Sequence, residues 1–279
     1  MFAVALFQCK LFSQSLYHSV DVTVVLPLPD GEDMLEGRTL RWPQKGREVF
    51  QVLYLLHGFG GDESDWLRYT NVERYALEKG VALVMPAACN SMYSDDWAGA
   101  MRYFSFYTQE LPQQMERIFP LAAARENRFI AGFSMGGYGA LKAALTFPER
   151  YAAAASLSGG LDPKGGNGNA AAFSGPAPRW RQSVFGRDMA AWKPERDDLT
   201  ELLRYAVSSG AQLPQLYQCC GTGDFLYPTN CAFQKLAASL GANIYWDAKP
   251  GTHNFQFWDQ AIQNVLAWLP LAGEPVVEK

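Results

Sequence analysis

Apolar and β-branched residues gather in short runs bounded by turn residues: Val20 to Leu26, Val49 to Leu56, Val81 to Met85, Arg128 to Phe133, Ala152 to Leu157, Gln215 to Cys220 and Asn243 to Ala248. Most of these short, largely apolar or β-branched runs predict buried strands. Between them the apolar positions recur at helical spacing over Asn71 to Glu78, Gln109 to Phe119, Met135 to Phe147, Thr229 to Leu240 and Phe255 to Trp268. Strands alternating with helices predict an α/β fold with a mainly parallel central sheet covered by helices on both faces. The early segments, punctuated by Pro27, Pro29 and Pro43, are expected to pair as an antiparallel edge. The run from Phe2 to Gln8 is short and has no basic residue before it, so it reads as an edge strand rather than a signal peptide.

The rhythm breaks between Leu161 and about Asp198. This stretch is rich in Gly, Pro, Ala and Asn, yet carries Phe173, Trp180, Phe185 and Trp192. Structureless connections beyond about 12–15 residues are uncommon in a compact domain, and the aromatics argue against disorder. The expectation is one domain over 1–279 with an insertion at 161–198 resting on the carboxyl end of the sheet.

Composition narrows the function. The chain has 279 residues, a formal charge of −4 and interspersed acidic and basic residues, which offers no footprint for nucleic acid. No uncharged apolar stretch approaches the ~20 residues that span a bilayer, so no membrane partner is expected and a cytoplasmic location is. The five cysteines form an odd set without a Cys-x-x-Cys pair and read as buried thiols. With three histidines and no His-Glu-x-x-His, neither a metal site nor any cofactor is expected.

The chemistry concentrates in Gly132-Phe-Ser134-Met-Gly136, which follows a predicted strand and opens a predicted helix. This G-x-S-x-G pattern is a nucleophile elbow: small residues flanking a sharp strand-to-helix turn leave the serine oxygen exposed at a helix amino end. A serine needs a base, and in elbow hydrolases the order is serine, acid, histidine. Only His253 follows Ser134, in a loop between the last strand and the last helix. Among the intervening aspartates, Asp224 directly follows a strong strand through Gly221-Thr-Gly223, which makes it the expected acid, with Asp247 as the alternative. The oxyanion donors are expected to be the N–H groups of Met135, just after the nucleophile, and of Phe59, in the glycine-rich loop after Leu56. His57 precedes the serine and is expected to brace that loop. Trp66 and Tyr93 are expected to line the substrate pocket, whose aromatic surroundings suit a neutral ester.

The ordered set Leu56-His-Gly-Phe-Gly-Gly61 with Trp66, Glu110-Leu-Pro112, Ala131-Gly-Phe-Ser-Met-Gly-Gly-Tyr-Gly-Ala140, Cys220-Gly-Thr-Gly-Asp-Phe-Leu-Tyr227 and the His253 loop resembles the esterase D-like branch of the α/β-hydrolases. The similarity is greatest to small bacterial tributyrin and feruloyl esterases. It implies the α/β-hydrolase fold and cofactor-free hydrolysis of small-molecule esters, on short acyl chains or on feruloyl and acetyl groups of plant cell-wall sugars. The same residues, Ser134, Asp224 and His253, would form the triad, and the resemblance implies a homo-oligomer. Mycolyltransferases and S-formylglutathione hydrolases look like cousins, which leaves acyl transfer and thioester hydrolysis as alternatives. Tyr138 stands where the formylglutathione enzymes usually carry histidine.

Overall fold

The strand expected over Arg128 to Phe133 forms over those same residues, at the centre of a sheet that the rest of the chain builds outward in both directions. The computed structural model describes residues 3–28, 49–165 and 179–272. Among the described residues the strands are β1 (Ala3–Ser13), β2 (His18–Leu28), β3 (Val52–Leu56), β4 (Ala82–Pro86), β5 (Arg128–Phe133), β6 (Ala153–Leu157), β7 (Gln215–Gly221) and β8 (Ile244–Lys249). They lie in one sheet in the order β1-β2-β4-β3-β5-β6-β7-β8. β1 pairs antiparallel with β2, and β2 antiparallel with β4, while every pairing from β4 to β8 is parallel. The expected antiparallel edge is therefore real, and Phe7 and Gln8 lie in its outermost strand. Pro29 and Pro43 lie outside the described residues.

Among the described residues the α-helices of five or more residues are α1 (Asp65–Tyr69), α2 (Val72–Lys79), α3 (Leu111–Ile118), α4 (Met135–Thr146), α5 (Arg179–Phe185), α6 (Leu199–Ser208), α7 (Tyr227–Ser239) and α8 (Phe255–Trp268). A π-helical turn over Phe106–Glu110 leads into α3, so the helix expected from Gln109 begins differently from the reading above. Two cores sit on the two faces of the sheet, and β3 shows why: Val52, Tyr54 and Leu56 join one, Leu53 and Leu55 the other. Successive side chains of a strand point to opposite faces, so an apolar run feeds both layers. Helices α3, α4, α6 and α7 cover the first core, and α2 and α8 the second.

Of the expected insertion, residues 166–178, with Phe173, lie outside the described residues, as does the side chain of Trp180. The described remainder is ordered around α5 and a helical turn at Pro194–Asp197. Phe185 is buried and packs edge-on against Trp192 at 5.0 Å. The cysteines correct the expectation of buried thiols: Cys219 and Cys220 are buried, but Cys89 is exposed and Cys9 and Cys231 are half-buried. Burial follows from strand position here, since the first two face inward from β7. No helix among the described residues is long and apolar enough to cross a membrane.

Candidate active site

Ser134 sits between β5 and α4 with φ 54° and ψ −116°. A positive φ at a non-glycine residue is strained, and the neighbouring backbone holds it there. Ser134 N–H donates to Leu157 O at 2.9 Å, and Gly160 N–H donates to Ser134 O at 2.9 Å. The flanking glycines are a steric requirement. A Cβ on Gly132 would lie 2.4 Å from the backbone of Gly136, and one on Gly136 would lie 2.3 Å from Leu56 O. Only two bare Cα positions let the helix start this close to β5 and β3.

Asp224 and His253 come from neighbouring loops zipped together by backbone bonds. Thr222 N–H donates to Lys249 O and Gly223 N–H to Gly251 O, each at 2.9 Å. Asp224 Oδ1 accepts the Leu226 N–H at 2.8 Å, which leaves Oδ2 facing His253 Nδ1 at 2.9 Å. His253 Nε2 lies 3.0 Å from Ser134 Oγ. Asn254 caps α8 by accepting the Phe257 N–H at 3.0 Å, so the histidine is fixed one residue ahead of a capped helix. Its ring meets Trp258 edge-on at 4.9 Å and Phe225 at 4.7 Å.

Burial would raise the Asp224 carboxyl, but the His253 ring and the Leu226 N–H outweigh it and hold the group below the usual carboxylate range. An ionised Asp224 demands a proton on His253 Nδ1, so Nε2 presents its lone pair to the Ser134 hydroxyl. The structure thus brings Ser134, His253 and Asp224 into one hydrogen-bonded line. Asp247 lies elsewhere: on β8 it accepts from Tyr217 Oη at 2.6 Å and Lys249 Nζ at 2.9 Å.

The loop after β3 approaches the same serine from the other side. A Cβ on Gly58 would strike the Phe133 ring at 2.4 Å, so the loop lies directly on the end of β5. Phe59 follows it with a side chain 48% exposed. His57 is buried; its Nε2 accepts the Ala88 N–H at 2.9 Å and its Nδ1–H donates to Gly58 O at 2.7 Å. Burial pulls the His57 pKa down, and a ring already committed as acceptor at Nε2 stays neutral. Met135 opens α4, where the first N–H groups have no intrahelical acceptor.

Trp66 and Tyr93 correct the expectation of a pocket wall. Both are fully buried. Trp66 Nε1–H donates to Leu56 O at 3.2 Å and Tyr93 Oη–H to His57 O at 3.1 Å. They hold the loop from behind, because their polar tips satisfy carbonyls that the tight turn leaves unpaired in the interior.

A second ion cluster escaped the sequence reading. Lys142, a lone charge in the apolar helix α4, is fully buried and donates to Asp197 Oδ1 at 2.9 Å and Ser94 Oγ at 2.7 Å. Tyr138 Oη–H donates to Asp197 O at 2.7 Å. A lysine between Leu141 and Ala143 was the available signal. Among the described residues no group of His, Cys, Asp and Glu side chains is arranged to hold a metal ion.

Comparison with known proteins fixes the family. The sequence profile of the Esterase family matches residues 38–269. The chain belongs to the Esterase family. An acetyl esterase of Caldicellulosiruptor saccharolyticus is 26% identical to this esterase over 273 residues, covering 95% of this chain and 98% of its own. The crystal structure of the S-formylglutathione hydrolase of Staphylococcus aureus is 30% identical, covers 96% of this chain and 99% of its own, and superposes with a TM-score of 0.80. A ferulic acid esterase structure, 20% identical with 96% and 98% coverage, superposes at 0.74 and speaks to the fold. This is an α/β-hydrolase of the esterase D-like branch and an enzyme of carboxylesterase type.

Proposed function

We propose that this esterase hydrolyses carboxylic esters through an acyl-enzyme on Ser134. The observation that carries the reading is the unbroken line from Ser134 Oγ to His253 Nε2 at 3.0 Å and from Nδ1 to Asp224 at 2.9 Å. Ser134 Oγ attacks the acyl carbon as His253 Nε2 takes its proton, and Asp224 steadies the imidazolium that forms. The oxyanion is held by the N–H groups of Met135 and Phe59. His253 returns the proton to the departing alcohol oxygen, and water then repeats the cycle to free the acid and Ser134.

The substrate class is a small ester with a short acyl, acetyl or hydroxycinnamoyl group. Support comes from the acetyl esterase that matches nearly end to end. Residues 161–198 are read as an insertion covering this face of a single domain. Gly160, which leads into it, donates its N–H to Ser134 O at 2.9 Å, and farther on Val184 O accepts the Trp97 N–H at 2.9 Å. Thioester hydrolysis is a second reading, favoured by the 30% identical S-formylglutathione hydrolase.

The test is steady-state turnover of p-nitrophenyl acetate, p-nitrophenyl butyrate, methyl ferulate and S-formylglutathione by wild type and Ser134→Ala. Loss of nearly all turnover in the variant is expected, with the oxygen esters preferred over the thioester. Near-wild-type rates in Ser134→Ala would overturn the reading.

A further inference from the structure

Asn230 is fully buried in the first turns of α7, where a polar side chain is tolerated only when its groups are bonded. Its Nδ2 donates to Gly159 O and to Leu226 O, each at 2.9 Å. Its Oδ1 accepts from Nε2 of the equally buried Gln218 at 3.0 Å, and the same Nε2 donates to Asn230 O at 2.9 Å. These partners leave one orientation for the Asn230 amide, because the two carbonyls only accept and the Gln218 nitrogen only donates. Turned over, the amide would set its oxygen against both carbonyls and its nitrogen against that of Gln218. An apolar side chain of the same size would fill the space, so the amide is there for what it holds.

What it holds are the two turns that carry the chemistry. Gly159 C=O and Gly160 N–H are the two ends of one planar peptide unit and point to opposite sides of it. Asn230 bonds the first end, and the second donates to Ser134 O at 2.9 Å. Two hydrogen bonds and one rigid plane therefore join Asn230 to the backbone of the nucleophile, whose φ of 54° is strained and must be held from outside. The plane cannot retreat toward β6, since even a Cβ on Gly159 would lie 2.2 Å from Ser156 Oγ. On the acid side the intermediary is Leu226. Its N–H donates to Asp224 Oδ1 at 2.8 Å, while its C=O accepts Asn230 Nδ2 and, at 2.8 Å, Thr229 Oγ1.

We infer that Asn230 is a positioning residue for the reaction: its amide nitrogen fixes the nucleophile turn and the acid turn relative to each other, acting through Gly160 on Ser134 and through Leu226 on Asp224. It touches neither the ester nor a reacting atom. Its effect is on the line from Ser134 to His253 to Asp224, which conducts a proton only while both ends stay within hydrogen-bond reach of the imidazole. The inference rests on the reading of those three residues given above.

The test is the kinetics of p-nitrophenyl acetate hydrolysis, with active sites counted by fluorophosphonate labelling so that every rate refers to folded, reactive protein. Asn230→Asp keeps the size of the side chain and the bond from Gln218 but gives up at least one of the two donors; Asn230→Ser falls short of both carbonyls. In each, kcat and kcat/KM per active site are expected to fall together by about 10- to 100-fold, with KM within about twofold of the wild type. A role in folding alone would lower the number of active sites and leave kcat per site at the wild-type value, and that result would overturn the inference. The wild type supplies a second measurement that needs no variant. The Asn230 side-chain amide protons, followed by NMR, should resist exchange with solvent and shift when Ser134 is phosphonylated; resonances that ignore the modification would overturn the inference as well. A wild type that turns over no ester would overturn the reading of Ser134, and this inference with it.

Discussion

Lys142 Nζ lies 2.9 Å from Asp197 Oδ1 with both side chains out of solvent, joining the helix that follows Ser134 to the segment just before α6. The two partners are not equivalent. Asp197 also receives Arg196 at 2.6 Å, whereas among the described residues Asp197 is the one carboxylate bonded to Lys142. Burial lowers the Lys142 pKa despite the pairing, and it would raise that of Asp197 if Lys142 and Arg196 did not more than reverse the effect. Asp197→Asn, which strands a buried ammonium, is expected to cost about 3–5 kcal/mol, and Lys142→Met less, since Arg196 still answers the carboxylate. The double replacement Lys142→Met with Asp197→Leu should recover much of the loss. Urea denaturation of the three variants checks the order, and equal losses for the two single variants would contradict it.

His57 gives the fold a pH dependence of known sign. Its folded pKa lies below the unfolded value of about 6.5, so the unfolded chain binds the extra proton first as pH falls. The stability this contributes is complete above about pH 6.5 and is lost below it, by up to ~1.4 kcal/mol per pH unit until the folded pKa is reached. Denaturation midpoints at pH 7.5 and 5.5 should diverge more in the wild type than in His57→Asn. Parallel shifts would mean that the ring is not buried neutral.

Trp66 and Tyr93 should behave as braces. Tyr93→Phe loses one hydrogen bond to His57 O and is expected to cost about 1 kcal/mol, plus the penalty of an unpaired buried carbonyl. Trp66→Ala, which empties a fully buried site, should cost about 3–5 kcal/mol. Thermal unfolding measures both. A KM change that depends on the acyl chain, without loss of stability, would restore them to the pocket.

Asp224 and Asp247 offer a matched comparison, because both are charged residues near β8 but only one meets His253. Asp224→Asn is expected to lower kcat by about 10³–10⁴, since the amide favours the wrong histidine tautomer. Asp247→Asn should change kcat by less than about twofold. Comparable losses would place the acid elsewhere.

How much of this was visible in the sequence depends on whether local rules decide the outcome. β5 and α8 form over the same residues as their patterns, because an apolar strand after Arg128 that runs into the glycines of the elbow and an Asn-capped apolar stripe admit one reading. Ser134 and His253 follow from chain order and loop position. Helix α6 went unread although Asp198 caps it and Leu199, Leu202, Leu203 and Ala206 mark its buried face; the irregular insertion before it hid its start. Aromatics were the weakest guide. Trp66 and Tyr93 both lie against the loop after β3, and only tertiary packing decides that both are sealed.

The proposed chemistry rests on Ser134 as the nucleophile, and covalent trapping tests it most directly. Intact-mass and peptide mapping after reaction with a fluorophosphonate should find one adduct, on the peptide carrying Ser134, with activity lost in proportion and no adduct in Ser134→Ala. An adduct on another serine, or full ester turnover by a protein labelled at Ser134, would contradict it.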